Sequence, residues 1–143
     1  MLKLEKAHTD AVLPKRANPG DSGLDLCSVE EDFFMWPGET KLVSTGWKMG
    51  VPIGYEIQIR PRSGLALKNS ITVGNSPGTC DANFRGIVKV ILRNEHKNET
   101  FEVKKGMRIA QMVIAKVELW SPEVVNSLSE TDRGSSGFGS TGI

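Results

Sequence analysis

Apolar and polar residues alternate with a period of two along much of this chain. In YEIQIRP, Tyr55, Ile57 and Ile59 fall on one face, and in IVKVILRN, Val88, Val90 and Leu92 do the same. Side chains two apart on an extended backbone point the same way, so this spacing predicts half-buried strands. Further strand-like runs are TKLVSTGWKMG, SITVGN, TFEV, RIAQMVIAKVEL and the LDLCS that follows Gly23. Between them lie the turn signals PGD, WPGE, VPIG and KKG. Short strands and tight turns in regular succession predict an all-β sandwich or barrel. One stretch departs from this rhythm: SGLALKN predicts a single short helix, with Ser63 capping a turn that carries Leu65, Ala66 and Leu67. VGNSPGTCDANFRG reads as a hairpin-like segment. Beyond SPEVVNSLSE the apolar content thins, and Val124, Val125 and Leu128 are the last residues suited to docking. With no internal repeat, the chain divides into one β domain over 1–128 and a flexible, glycine-rich tail over 129–143.

Composition narrows the function classes. A chain of 143 residues is long enough to bury a core without a disulfide or a metal. Its 18 Lys and Arg nearly cancel 17 Asp and Glu, so no whole-chain field draws it to nucleic acid or to an anionic membrane, and any polyanion must be met by local arginines. Direct nucleic-acid binding and membrane association are therefore not expected. Cys27 and Cys80 stand far apart without a C-x-x-C spacing, and MLKLEKAHTD has no signal-like apolar run, so a reducing cytoplasm is the expected compartment. His8 and His96 have no second ligand at metal-type spacing and are expected at the surface.

Four stretches carry candidate chemistry. In PGDSGLDLCS, Asp25 lies between two core-seeking leucines and must either face water or find a partner. In RPRSGLALK, a strand ends at Pro61 and a turn presents Arg62, Ser63 and the amides of Gly64 and Leu65; an anion site and a capped turn with solvated arginines both fit. In VGNSPGTCDANFRG, glycines allow backbone to close round a flat ligand whose edge main-chain groups can read, while an ordinary β-turn fits as well. In RGSSGFGSTGI, Arg133 offers charge, Phe138 a stacking face, and Gly139, Ser140, Thr141 and Gly142 amides and hydroxyls for a phosphate, against the alternative of an idle tail.

Taken in order, SGLDLCS, PRSGLALK, GNSPGTCDANFRG, GMRIAQM and RGSSGFGSTG resemble the homotrimeric dUTPase (dUTP diphosphatase) family over nearly the whole chain. The resemblance implies a jelly-roll-like β-clip. It also implies Mg²⁺-assisted hydrolysis of dUTP to dUMP and pyrophosphate, which limits uracil in DNA and supplies dUMP for dTTP synthesis. By the same resemblance Asp81 activates the water that attacks the α-phosphorus, and Gln111 lies near that water. Asn75 with Gly78, Thr79 and Cys80 reads uracil. Phe84 underlies the deoxyribose, and Arg62, Ser63 and Gly64 meet the phosphates. Asp25 approaches Mg²⁺ through water, the metal being held mainly by the triphosphate. Arg133, Phe138, Gly139 and Ser140 close a tail over a site shared between the subunits of a homotrimer. Two positions depart from the family pattern: Phe84 replaces the usual tyrosine, and Met107 the aspartate of the fourth motif. Two rival readings are a dCTP deaminase of the same superfamily, which uses a glutamate where this segment offers Asp81, and a nucleotide-binding regulatory protein.

Overall fold

A computed structural model describes residues 1–137 of the chain. Strands make up 40% of it and helix 5%. In chain order the elements are β1 (Lys3–Lys6), β2 (Leu24–Cys27), β3 (Phe33–Met35), β4 (Thr40–Gly50), β5 (Tyr55–Arg60), α1 (Ser63–Asn69), β6 (Ile71–Val73), β7 (Gly78–Cys80), β8 (Ile87–Asn94), β9 (Phe101–Val103) and β10 (Arg108–Lys116). They form two four-stranded sheets, β1-β4-β8-β6 and β2-β10-β5-β7, and the ribbon β3-β9. All pairings are antiparallel, and none of the sheets closes on itself.

The two-residue alternation becomes burial alternation. Val88, Val90 and Leu92 of β8 are buried while Lys89 and Arg93 face out, and Ile57 and Ile59 of β5 are buried beside half-buried Gln58. One apolar core collects these side chains with Val43 of β4, Leu26 of β2, Met112 of β10 and Met35 and Val103 of the ribbon, so removal of apolar surface from water joins all three sheets. β4 pairs with β1 on one edge and with β8 on the other, and its register with β8 shifts between Ser44 and Lys48. Gly46 sits in that break at φ +72°, and a Cβ there would lie 2.8 Å from the Ala11 Cβ and 2.9 Å from the His8 Cβ. Only glycine fits both the backbone and the space.

Three local expectations are revised. Ser63 does not cap α1: the N-cap is Arg62, with no side-chain capping bond, and Ser63 is the first helical residue. β5 ends at Arg60, before Pro61, and Arg62 is still extended at φ −88° and ψ 127°, so the helix begins only at Ser63. The hairpin-like segment is a crossover, since β6 pairs with β8 in one sheet and β7 with β5 in the other. Its polar, proline-containing stretch carries the chain between sheets rather than folding it back. Val124, Val125 and Leu128 do not dock on their own chain; Val124 is 98% exposed and Leu128 86%. β10 ends at Lys116, and among the described residues beyond it none joins the core.

Candidate active site

The β2-β10-β5-β7 sheet carries Asp25, Gln111, Gly78, Thr79 and Cys80. Asp25 of β2 lies opposite Gln111 of β10, and Gln111 in turn lies opposite Arg60 of β5, so the three follow one another across the sheet. On the far side of β5, Ile59 faces Gly78, Gln58 faces Thr79 and Ile57 faces Cys80.

Around Asp25 is a polar cavity of about 320 Å³ lined by Asp21, Gly23, Asp25, Arg62, Ser63, Gly64, Arg108 and Gln111. The Asp25 carboxylate is clasped from two sides: Arg62 Nε lies 3.0 Å from Oδ1, and Arg108 Nη1 donates to Oδ2 at 3.2 Å. Arg62 Nη1 also donates to the Arg108 carbonyl at 3.2 Å, which links the segment before α1 to the start of β10. This is how the chain accommodates an acid between Leu24 and Leu26: Leu26 is 1% exposed, and the acid turns outward to two guanidiniums. Gln111 is fixed at its amide, Nε2 donating to the Pro61 carbonyl at 2.9 Å. Its Oε1 occupies the space a Cβ at Gly23 would need. Arg108 and Gly23 were not singled out from the sequence. The only signal was their presence within the quoted motifs, because the contacts that define their roles cross between strands.

A second cavity, also about 320 Å³, is lined by Asn75, Gly78, Thr79, Cys80, Asp81 and Phe84 with apolar walls that include Ile59, Val88 and Ile91. The Asn75 side chain lies across Gly78, where a Cβ would come within 3.3 Å of both its amide atoms and of the Ile59 Cβ. Asp81 and Phe84 stand exposed on the turn after β7, with the Phe84 N–H donating to the Asp81 carbonyl at 3.1 Å. Burial, and then the neighbouring Asp81 carboxylate, push the Cys80 thiol above its ordinary range. Cys27, beside Asp25, is pushed the same way for the same two reasons in the same order.

The predicted site residues therefore fall into two groups. Asn75, Gly78, Thr79, Cys80, Asp81 and Phe84 line one cavity, Asp25, Arg62, Ser63, Gly64 and Gln111 the other, and the two share no lining residue. Arg133 joins neither; its Nε donates to the Ser136 carbonyl at 2.8 Å in an exposed turn. Phe138, Gly139 and Ser140 lie outside the described residues.

A half-apolar cavity and a separate arginine-lined one, both carried by open antiparallel sheets, are the concave features in which the candidate residues gather. The family model of dUTPase matches residues 9–142. Deoxyuridine 5'-triphosphate nucleotidohydrolase of Picosynechococcus sp. is 55% identical over 141 residues, covering 99% of this chain and 98% of the relative. Among solved structures, Staphylococcus bacteriophage 80alpha dUTPase with dUPNHPP superposes with a TM-score of 0.89 at 27% identity, over 100% of this chain and 99% of the other. A mutant dUTPase from phage phi11 of S. aureus, solved for the coordination of a structural Mg(II) ion, shares the fold at a TM-score of 0.77 and 22% identity, over 92% of this chain and 99% of the other. The chain belongs to the dUTPase family.

Proposed function

We propose that this enzyme hydrolyses dUTP to dUMP and pyrophosphate at sites shared between the copies of a homotrimer. The observation that carries this reading is the division of the site residues between two cavities. Asn75, Gly78, Thr79, Cys80, Asp81 and Phe84 line one cavity, and the arginines suited to phosphate line a different one. Together with the family resemblance, this division supports a site assembled from the base-and-sugar half of one copy and the phosphate half of another. The exposed arm beyond β10, with Trp120 85% and Leu119 66% exposed, supports the same assembly, since apolar side chains left in water on one chain are available to cover a neighbour.

In this reading Asn75 and the backbone of Gly78, Thr79 and Cys80 read the Watson-Crick edge of uracil. A cytosine amino group there would set donor against donor and leave buried groups unpaired, at a cost of about 1 to 3 kcal/mol each. Phe84 lies under the deoxyribose and fills the space a 2′-hydroxyl would take. Asp81, at the rim of this cavity, orients a water and takes its proton as the water oxygen bonds to the α-phosphorus and the bond to the bridging oxygen breaks. Pyrophosphate leaves from the side held by Arg62, Ser63 and Gly64. Gln111, held by Pro61, directs its amide toward the α-phosphate and the water.

The donor set fits magnesium. Among the described residues no three His, Cys, Asp or Glu side chains converge as a metal cage, and the polar cavity offers Asp25 and Asp21 as its only acids. Such a site suits a hard cation that keeps several waters and draws other ligands from the triphosphate, with Asp25 reaching it through water. When bound, Mg²⁺ neutralises charge on the phosphate oxygens. Arg133, Phe138, Gly139 and Ser140, in the proposed tail over 129–143, would close on the nucleotide beside the domain over 1–128. A cytoplasmic location belongs to the same proposal; no helix among the described residues is long and apolar enough to cross a membrane.

The test is Asp81→Asn. Loss of the base is expected to lower kcat by about 10² to 10⁴-fold, the usual worth of a general base, while calorimetry shows dUTP still bound. Unchanged turnover would remove Asp81 from its role.

A further inference from the structure

Arg85 and Gly86 follow the turn that carries both Asp81 and Phe84, and no role has yet been given to either. The Arg85 guanidinium folds back on its own turn. Its Nη1 donates to the Ala82 carbonyl at 2.7 Å and to the Phe84 carbonyl at 2.7 Å, while the Phe84 N–H closes the same turn onto the Asp81 carbonyl at 3.1 Å. One cationic nitrogen thus ties together the stretch between Asp81 and Phe84, and charge-assisted bonds of this length are the stronger kind. Both bonds come from Nη1 at the end of the arginine side chain, and lysine, whose stem is one atom shorter, places its ammonium short of that position.

Gly86 acts on the ring. A Cβ at that position would lie 2.7 Å from Phe84 Cζ, 3.0 Å from Cε2 and 3.5 Å from Cε1, so the ring rests in the space that the missing side chain leaves. Gly86 does not have the left-handed φ that sets Gly46 apart, so its backbone accepts alanine and the steric contact with the ring is the only obstacle. A ring displaced from this seat no longer lies where it lines the cavity.

We propose that Arg85 and Gly86 are positioning residues: Arg85 fixes the spacing between Asp81 and Phe84, and Gly86 seats the Phe84 ring that separates deoxyribose from ribose. This rests on the reading of Asp81 and Phe84 given above. The guanidinium holds the turn at its two carbonyls, and the glycine sets the height of the ring above its own backbone. Neither residue touches the reacting atoms.

The experiment measures kcat and KM for dUTP and UTP, with thermal midpoints, on the full-length wild type, Gly86→Ala, Phe84→Leu, the double variant and Arg85→Lys. Gly86→Ala is expected to lower the ratio of kcat/KM for dUTP over UTP by about tenfold, mainly through KM for dUTP, as loss of a sugar contact should. In the Phe84→Leu background the alanine is expected to be silent, because the ring it displaces is gone. Arg85→Lys is expected to lower kcat for dUTP by about tenfold with KM changed far less, since misplacement of the base acts on the chemical step. An unchanged dUTP preference in Gly86→Ala, an equal effect of the alanine with and without the ring, or unchanged kcat in Arg85→Lys would overturn the proposal while leaving dUTP hydrolysis intact. Absence of dUTP turnover in the wild type would instead overturn the function reading itself, and an undiminished preference in Phe84→Leu would overturn the role of the ring and this proposal with it.

Discussion

At the scale of single residues, the catalytic geometry depends on atoms that are missing as much as on those present. Gly23 leaves room for Gln111: a Cβ there would collide with Oε1 and stand 3.2 Å from the Gln111 Cβ. The displaced atom is the end of a flexible side chain, so Gly23→Ala is expected to leave the thermal midpoint almost unchanged while lowering kcat about tenfold, a small misplacement near the chemistry. A fall in stability with kcat intact would make Gly23 a packing residue only. The thiols make a second prediction. Burial raises Cys27 and Cys80 above the ordinary thiol value of 9.0, so the folded state holds these protons more tightly than the unfolded chain. Their contribution to stability is present in full below that value and is lost as pH rises from it through the raised value of the folded thiols, because in that interval the native state binds more protons. Thermal midpoints across the alkaline range are expected to fall more steeply in the wild type than in Cys80→Ala, whose baseline is lower because the substitution leaves a cavity. Asp81, Asn75 and Arg62 could be singled out in the sequence because their types carry chemistry and the motifs resemble a family, and the structure places them along the two cavities. Gly23, Arg85 and Arg108 were not, because their partners are supplied by the fold or by a side chain turning back on its own backbone.

At the scale of elements, Asn94 ends β8 and is fully buried. Its Nδ2 donates to the Met35 carbonyl at 3.0 Å and to the Glu99 carbonyl at 2.9 Å, and its Oδ1 accepts from the His96 N–H at 2.9 Å. One side chain therefore joins β8, the end of β3 and the loop before β9. Asn94→Ala is expected to cost on the order of 3 kcal/mol, since several buried backbone groups lose their partner. Denaturant unfolding should show a lower midpoint with an unchanged slope, and KM for dUTP should not move. The long strands β4, β5, β8 and β10 were legible because they bury one face and expose the other. β1 is four residues long and only Leu4 among them packs against the core, too little to show a period. β3 and β7 are three residues each, too short to show a period. The crossover from β6 to β7 was misread because a proline- and glycine-rich stretch signals a change of direction without saying which sheet receives the chain.

At the scale of the whole molecule, the proposed sharing of the two cavities between copies would make the assembly part of the reaction. Sedimentation is expected to show a trimer, a property legible in the sequence only through family resemblance, since no periodicity records a contact between copies. Two inactive variants, Asp81→Asn in one cavity and Gln111→Ala in the other, are expected to recover activity when unfolded and refolded together, because mixed trimers contain sites built from an intact half of each. No recovery in trimers shown to be mixed would mean that each site is built within one chain. Truncation after Asp132 is expected to leave a folded trimer that has lost most of its turnover; full activity in that variant would make the tail idle. The most direct test of the whole account is incubation of the wild type with dUTP, dCTP, UTP and dTTP, each with Mg²⁺, while pyrophosphate and ammonia are assayed. Pyrophosphate from dUTP alone is the expected result; ammonia from dCTP, or no product from any of the four, would contradict it.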